Sequence, residues 1–280
     1  MPSTSPRLWI VATPLGNPGD LSPRAREVLE TADLVLAEDT RRAAALFRRL
    51  GLAPRRFLSF YEQNEEDRRE EVMAALRAGG QVALISDAGT PLVADPGYRL
   101  VRACRREGIG VSPVPGPSAP VAALSAAGLP PLPFTFLGFL PRDAGGRRAL
   151  FRAYAAVPGS LIFFERKDRL AESLALAADI LGPRELAICR ELTKTHEEFL
   201  IGRLGNVGAL AEDLLGEITV IIGPPEGAPA TADRTDAEAL LRALLRDGLK
   251  PREAAREAHG RLPGWSAKEL YALIPGIGAE

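Results

Sequence analysis

The chain has 280 residues, enough for two domains and a small third at roughly 100–200 residues per domain. Its 46% hydrophobic and 25% charged residues exclude a disordered chain, because there is apolar side chain enough to fill real cores. The 35 basic and 36 acidic residues exclude a polycation that coats nucleic acid in bulk, while leaving room for local basic patches. Only Lys167, Lys194, Lys250 and Lys268 are lysines, so arginine supplies 31 of the basic residues. Codon bias in a GC-rich genome explains most of that skew, and the scarcity of Asn and Gln suits heat tolerance. Arginine also suits phosphate contact. Cys104, Cys189, His196 and His259 are scattered, so neither a zinc site nor a disulfide framework is expected. No apolar run reaches the ~18 residues of a membrane span, and the first residues carry no charged-then-apolar leader. The expectation is a soluble cytoplasmic protein without metal.

In chain order, Leu8-Trp9-Ile10-Val11-Ala12-Thr13 reads as a strand buried on both faces, because polar alternation is missing. It ends in the turn formers Pro14-Leu15-Gly16-Asn17-Pro18-Gly19-Asp20. Ser22 can cap a following helix that has Pro23 in its first turn. Residues 34–37 form the next strand, running into Glu38-Asp39-Thr40-Arg41, and 43–50 a helix stopped by Gly51. A helix over 65–78 precedes a strand over 82–85 and the loop Ser86-Asp87-Ala88-Gly89-Thr90-Pro91. A helix over 97–107 leads to a strand near 111–114 and then Pro115-Gly116-Pro117-Ser118-Ala119. Alternating strands and helices predict an α/β domain with a mainly parallel sheet over 7–119. Strands near 134–137, 160–164, 185–190, 197–204 and 217–222, with a helix over 168–181, predict a second α/β domain over 120–224. Its character is more antiparallel. A Gly/Pro-rich linker over 223–229 precedes a small helical module over 233–280, whose residues 235–274 read as three short helices broken at Gly248, Gly260 and Pro263.

Ligands of α/β proteins bind at the carboxyl ends of parallel strands. Four such loops, 13–20, 38–41, 86–91 and 115–119, are rich in Gly, Pro and short polar residues. No G-x-G-x-x-G and no phosphate loop ending in Gly-Lys-Ser/Thr accompanies them, which argues against a kinase, an ATPase and a standard nicotinamide dehydrogenase. Asp87 can accept bonds from a polar ligand. Ala88, Gly89 and Thr90 allow close backbone approach, and Pro91 stiffens the turn.

The blocks 8–20, 37–41, 86–97 and 115–119, with Gly138-Phe139-Leu140-Pro141 and Arg190-Glu191-Leu192-Thr193-Lys194-Thr195, occur in an order that resembles the ribosomal RNA small subunit methyltransferase I family. That family lies in the tetrapyrrole-methylase-like superfamily. The resemblance spans about residues 7–275. It implies two α/β domains with S-adenosyl-L-methionine in the cleft between them, followed by a small helix-turn-helix-like module. It also implies a homodimer, and transfer of a methyl group to the ribose 2′-oxygen of a cytidine in the decoding region of 16S ribosomal RNA. On this reading Leu15, Gly16, Asp87, Ala88, Gly89, Thr90, Pro91, Val93, Ser118, Ala119, Phe164, Leu192 and Thr193 hold the cofactor. A ribose hydroxyl is a poor nucleophile, so a proton acceptor is expected. Asp39, Glu65, Glu165, Glu191 and Lys194 are the candidates, with Glu191 and Glu165 ranked ahead of Lys194, which would need a lowered pKa. Around Phe164-Glu165-Arg166-Lys167-Asp168-Arg169 a histidine common in relatives is absent.

For the RNA, residues 40–56 hold Arg41, Arg42, Arg48, Arg49, Arg55 and Arg56 and no acid. Arg142, Arg147, Arg148 and Arg152 form a second cluster. Asp39, Arg41, Arg42, Asn64 and Glu65 are the expected substrate contacts. The tail over 233–280 balances eight basic against eight acidic residues, which argues against independent nucleic-acid binding. Two alternatives stand beside this reading: methylation of a tetrapyrrole ring, and a non-catalytic ribosome-assembly protein retaining the fold.

Overall fold

The computed structural model describes residues 7–53, 55–206, 214–226, 234–262 and 264–277. The expectations about residues 1–6, the linker's 227–229, Asp233, Pro263 and residues 278–280 lie outside them. Five strands, β1 (Arg7–Val11), β2 (Leu34–Ala37), β3 (Phe57–Ser59), β4 (Gln81–Leu84) and β5 (Gly110–Val114), form a sheet in the order β3-β2-β4-β1-β5. Every pairing in it is parallel. Alternate side chains leave opposite faces of a strand. Leu8, Leu34, Leu36, Val82 and Leu84 therefore point to one core, which α3 (Glu65–Arg77) and α4 (Tyr98–Arg106) cover. Val11, Val35, Ala37, Ala83 and Ile85 point to the other, under α1 (Pro23–Thr31) and α2 (Thr40–Leu50). With both faces covered, the strands need no polar alternation. The short edge strand β3 escapes the sequence reading because three residues carry no periodicity.

Helix ends follow their sequence signals. Ser22 accepts the Ala25 amide at 3.1 Å. Gly51 adopts the left-handed conformation (φ 65°) that closes α2.

The second sheet has the order β6-β7-β10-β8-β9, from β6 (Phe134–Phe139), β7 (Ser160–Glu165), β8 (Glu185–Arg190), β9 (Glu198–Arg203) and β10 (Ile218–Ile222). Only β6–β7 is parallel; the other pairs are antiparallel. One face packs on α6 (Ala144–Tyr154) and α7 (Lys167–Leu181). The other packs on α5 (Ala119–Ala126), whose Ala123 and Leu124 join Ile162, Ala187, Cys189 and Ile221 in one core. Leu15, from the loop after β1, packs against the same core, so the two sheets share buried apolar surface.

Contacts divide the chain into 1–224, which holds both sheets, and 225–280. In the second unit α8 (Arg234–Arg246), α9 (Pro251–Arg261) and α10 (Ala267–Ile277) bury Leu241, Leu244, Ala254, Ala258 and Leu270 together. The break expected at Gly260 falls inside α9, where one glycine costs only about 1 kcal/mol. Ser266 and Glu269 form a reciprocal cap for α10: the Glu269 amide donates to Ser266 Oγ at 3.2 Å and the Ser266 amide to Glu269 Oε2 at 2.8 Å. Among the described residues no helix is long and apolar enough to cross a membrane.

Candidate active site

The loops after β1, β4 and β5 are stitched together. Thr13 and Gly89 exchange backbone bonds at 2.9 and 3.0 Å, and the Thr13 hydroxyl donates to the Ser86 carbonyl at 3.3 Å. The Thr90 hydroxyl donates to the Pro117 carbonyl at 2.9 Å. A Cβ on Gly89 would sit 3.1 Å from Leu15 at a φ of +80°, and one on Gly116 would sit 2.9 Å from Ala12. Both positions therefore require glycine. Between Gly89 and Gly97 (φ 122°), Leu92 and Ala94 also have positive φ, 69° and 74°. A strained backbone of this kind persists only where its surroundings over-determine it, and such segments gather at functional sites.

This loop forms one wall of a cleft of about 1120 Å³. From the first sheet it is lined by Leu15, Glu38, Arg42, Asp87, Ala88, Gly89, Thr90, Val93, Asp95, Tyr98 and Arg99, with Ser118 and Ala119 at the start of α5. From the second come Phe139, Phe164, Glu165, Arg166, Lys167 and 216–219. Phe164 lies between Phe136 and Phe139, with ring centroids 5.0 and 5.2 Å away. A register shift in β6 at Gly138 (φ 69°) brings Phe139 opposite Phe164.

The floor is acidic. Glu38, Asp87 and Asp95 converge on it, with Arg42 bonded to Asp87 at 2.6 Å. Burial, with the charges of Glu38 and Asp87, pushes the Asp95 carboxyl up to about 6, against the Ser86 hydroxyl. Burial and then Asp87 raise Glu38 as well.

Of the expected cofactor residues, Leu15, Asp87, Ala88, Gly89, Thr90, Val93, Ser118, Ala119 and Phe164 line this cleft, whereas Gly16, Pro91, Leu192 and Thr193 do not. Leu192 is buried in the α5 core, and Thr193 Oγ1 accepts the Asn17 amide at 3.1 Å. The 190–197 loop thus fastens the loop after β1. Arg49 donates to the Gly16 carbonyl from the other side, and a Cβ on Gly16 would collide with the Lys194 stem.

The expected proton acceptors are differently placed. Glu165 is fully buried and takes the Arg166 amide (2.8 Å), the Ser173 hydroxyl (2.6 Å) and an Arg169 guanidinium. Its acceptor capacity is engaged in joining β7 to α7. Glu191 (φ 51°) accepts Lys194 Nζ at 2.9 Å and the Glu217 amide at 3.0 Å. Burial pushes Glu191 up, but those two donors hold it below the usual carboxylate range. Burial pushes Lys194 down, yet Glu191 and Glu217 hold it above the usual lysine range, so it is a cation at neutral pH. The lowered pKa that a lysine acceptor needs is absent.

Of the expected substrate contacts only Arg42 and Glu65 line the cleft. Glu65 is buried and accepts the Leu100 amide at 3.2 Å, capping α4, whose Gly97 has no side chain to do so. Asn64 closes its own turn, accepting the Tyr61 amide at 2.8 Å and donating to the Ser59 carbonyl at 3.1 Å. Asp39 accepts the Arg41 amide at 2.8 Å and pairs with the exposed Arg41 guanidinium at 3.2 Å. In the second arginine cluster, Arg147 is buried and paired with Glu172 at 2.6 Å, and Arg148 is paired with Asp179 at 3.0 Å. A buried guanidinium cannot meet a phosphate, so Arg147 leaves the RNA-contact set.

Reading the sequence missed Asp95, Tyr98, Phe139 and 216–219. Asp95 stands inside a block already singled out, and its turn-rich neighbours were the available signal. The residues 216–219 open an antiparallel strand and carry no signal. Among the described residues no group of three or more His, Cys, Asp and Glu is arranged to hold a metal.

Residues 7–208 match the model of the tetrapyrrole (corrin/porphyrin) methylases. The ribosomal RNA small subunit methyltransferase I of Mesorhizobium japonicum is 47% identical over 96% of this chain and 91% of its own. The protein of the same name from Escherichia coli O157:H7 is 43% identical over 95% and 93%. Among solved structures, uroporphyrin-III-C-methyltransferase from Thermus thermophilus superposes with a TM-score of 0.57 at 25% identity, over 78% of this chain and 94% of that one. A two-sheet cleft walled by glycine-strained loops, in a chain matched this far by both a family model and close relatives, has one reading: the chain belongs to the tetrapyrrole methylase family and, within it, to the ribosomal RNA small subunit methyltransferases I.

Proposed function

We propose that the chain transfers the methyl group of S-adenosyl-L-methionine to the ribose 2′-oxygen of a cytidine in the decoding region of 16S ribosomal RNA, in the cytoplasm and as a homodimer. The observation that carries this reading is the cleft between the two sheets, acidic and backbone-lined on one side, aromatic and basic on the other. The donor set fits the cofactor. Asp87 and Glu38 suit its ammonium group, and the free amides at the start of α5 suit its carboxylate. The apolar Leu15, Val93 and Phe164 suit its uncharged parts. Bound there, the cofactor supplies an electrophilic methyl group on a sulfonium.

The remaining work falls to the chain's own side chains. Alignment of nucleophile and methyl is a positioning problem, and holding two reactants in attack geometry supplies about 7–11 kcal/mol. The stitched 86–97 loop provides a rigid wall for it. Asp95 takes the proton of the 2′-hydroxyl. Its carboxyl lines the cleft and is basic enough to hold a proton yet ionised at pH 7. Arg166 and Lys167, at the opposite lip, offset phosphate charge. Exposed Leu132 and Phe134, 78% and 40% accessible, give a partner copy apolar surface.

The test incubates the protein with S-adenosyl-L-methionine and unmodified small subunits or their RNA, then maps bonds protected from alkaline hydrolysis. One protected cytidine in the decoding region is expected. Methyl transfer to a tetrapyrrole instead, or no cofactor binding by calorimetry, overturns the proposal.

A further inference from the structure

A second concavity, of about 490 Å³, lies between α3 and α4 and is lined by five arginines, three glutamates, Met73 and Ala103. The glutamates are taken. Arg77 pairs with Glu70 at 2.6 Å and Glu107 at 2.8 Å, and Arg69 pairs with Glu66 at 2.7 Å, with Arg99 3.8 Å from the same carboxylate. Arg102 and Arg106 are exposed and have no carboxylate partner among the described residues. Arg99 lines both this groove and the main cleft. The chain runs from the strained cleft loop through Gly97 directly into α4, so Arg99, Arg102 and Arg106 leave the cleft mouth one turn at a time. At 1.5 Å per residue they cover about 10 Å of helix axis.

From this we infer that the α3–α4 groove is a subsite for the phosphodiester backbone of the substrate RNA next to the target nucleotide, with Arg102 and Arg106 neutralising phosphates. The inference rests on the RNA methyltransferase reading of the cleft. Three features point to a polyanion rather than a small anion: the unpaired Arg102 and Arg106 follow one another along α4, their line continues from Arg99 at the reaction cleft, and both residues are exposed to solvent. The sequence reading looked instead to a cluster over 142–152 and to the arginines of 40–56, where Arg41, Arg42, Arg49 and Arg56 have partners within the protein and Arg48 and Arg55 have no carboxylate partner among the described residues.

The experiment compares the unaltered protein with Arg102→Gln/Arg106→Gln and Arg102→Lys/Arg106→Lys, measuring affinity for a 16S decoding-region RNA across a salt series and methylation of small subunits. For the glutamine pair, RNA affinity is expected to fall about tenfold at moderate salt. Its slope of log affinity against log salt should flatten by roughly 0.7–0.9 per arginine. KM for the subunit rises, while kcat and cofactor affinity stay within twofold. The lysine pair keeps the slope of the unaltered protein. An unchanged slope and affinity in the glutamine pair overturns the inference, as does a change in oligomeric mass by light scattering without a change in RNA affinity, which would make the groove a surface between copies. Failure of the unaltered protein to methylate subunits sinks the reading of the cleft, and the RNA-binding arm still decides the groove.

Discussion

The two sheets face one cleft and contribute to it in different ways. In the first, all five strands run in one direction, so the loops after β1, β2, β4 and β5 leave at one edge. The loops after β2, β4 and β5 supply polar groups to the cleft, and the loop after β1 supplies Leu15. In the second, antiparallel pairing alternates the edge at which loops emerge. Its cleft residues come from the ends of β6 and β7 and the start of β10, while the conspicuous 190–197 loop serves as a fastener beside Gly16. Parallel topology concentrates ligand-facing loops, and antiparallel topology leaves the choice to strand order.

On the proposed reading the first wall carries the proton acceptor and the second holds the structural Glu165 network, and substitutions separate the two. The largest effect is expected on the first wall: Asp95→Asn lowers kcat by about 10²-fold or more with cofactor affinity within threefold, read by single-turnover kinetics and calorimetry. In the unaltered protein kcat should fall as pH drops through about 6, the Asp95 range, because the protonated carboxyl cannot accept a proton. A flat profile there, or full activity in the variant, would move the proton acceptor elsewhere. Next, Asp87→Ala weakens cofactor binding roughly 10–100-fold, the worth of a charge-assisted hydrogen bond, by calorimetry. On the second wall the loss is one of stability. Glu165→Ala strands Arg169 and Ser173 at a cost of about 3–5 kcal/mol, a fall in Tm of roughly 10 °C by calorimetric scan. Surviving protein with full kcat confirms Glu165 as structural; loss of kcat without loss of Tm would return it to the chemistry.

The smallest effect is again at Asp95. Its folded pKa is raised, so folding favours the protonated form. The stability this provides is complete below the unfolded value near 3.9 and is lost as pH rises through about 6. Asp95→Asn should therefore raise Tm by about 2–4 °C at pH 8 and give no gain at pH 4. An equal shift at both pH values would remove burial as the cause.

Much of the first sheet was legible. Apolar runs such as 34–37 and 82–85 could only be doubly covered strands, and Ser22, Gly51 and Ser266 marked helix ends through local hydrogen bonding and backbone freedom. Gly89 and Gly116 were visible as turn formers, and their close approaches to Leu15 and Ala12 now explain the need for glycine. The acceptor set was harder to read, because a carboxylate's role depends on what lies opposite it. Glu165 and Glu191 look alike in sequence to Asp95, yet two of them are consumed by donors brought in from other elements.

The sequence alone therefore determined most of the order of elements, the loops that line the cleft and the family, all carried by local patterning. Only the tertiary structure decided which carboxylates remain available and which arginines are unpaired. It also decided that the 190–197 loop fastens Gly16 rather than lining the cleft. Those outcomes depend on burial and on partners distant along the chain, and neither is written in the spacing of neighbouring residues.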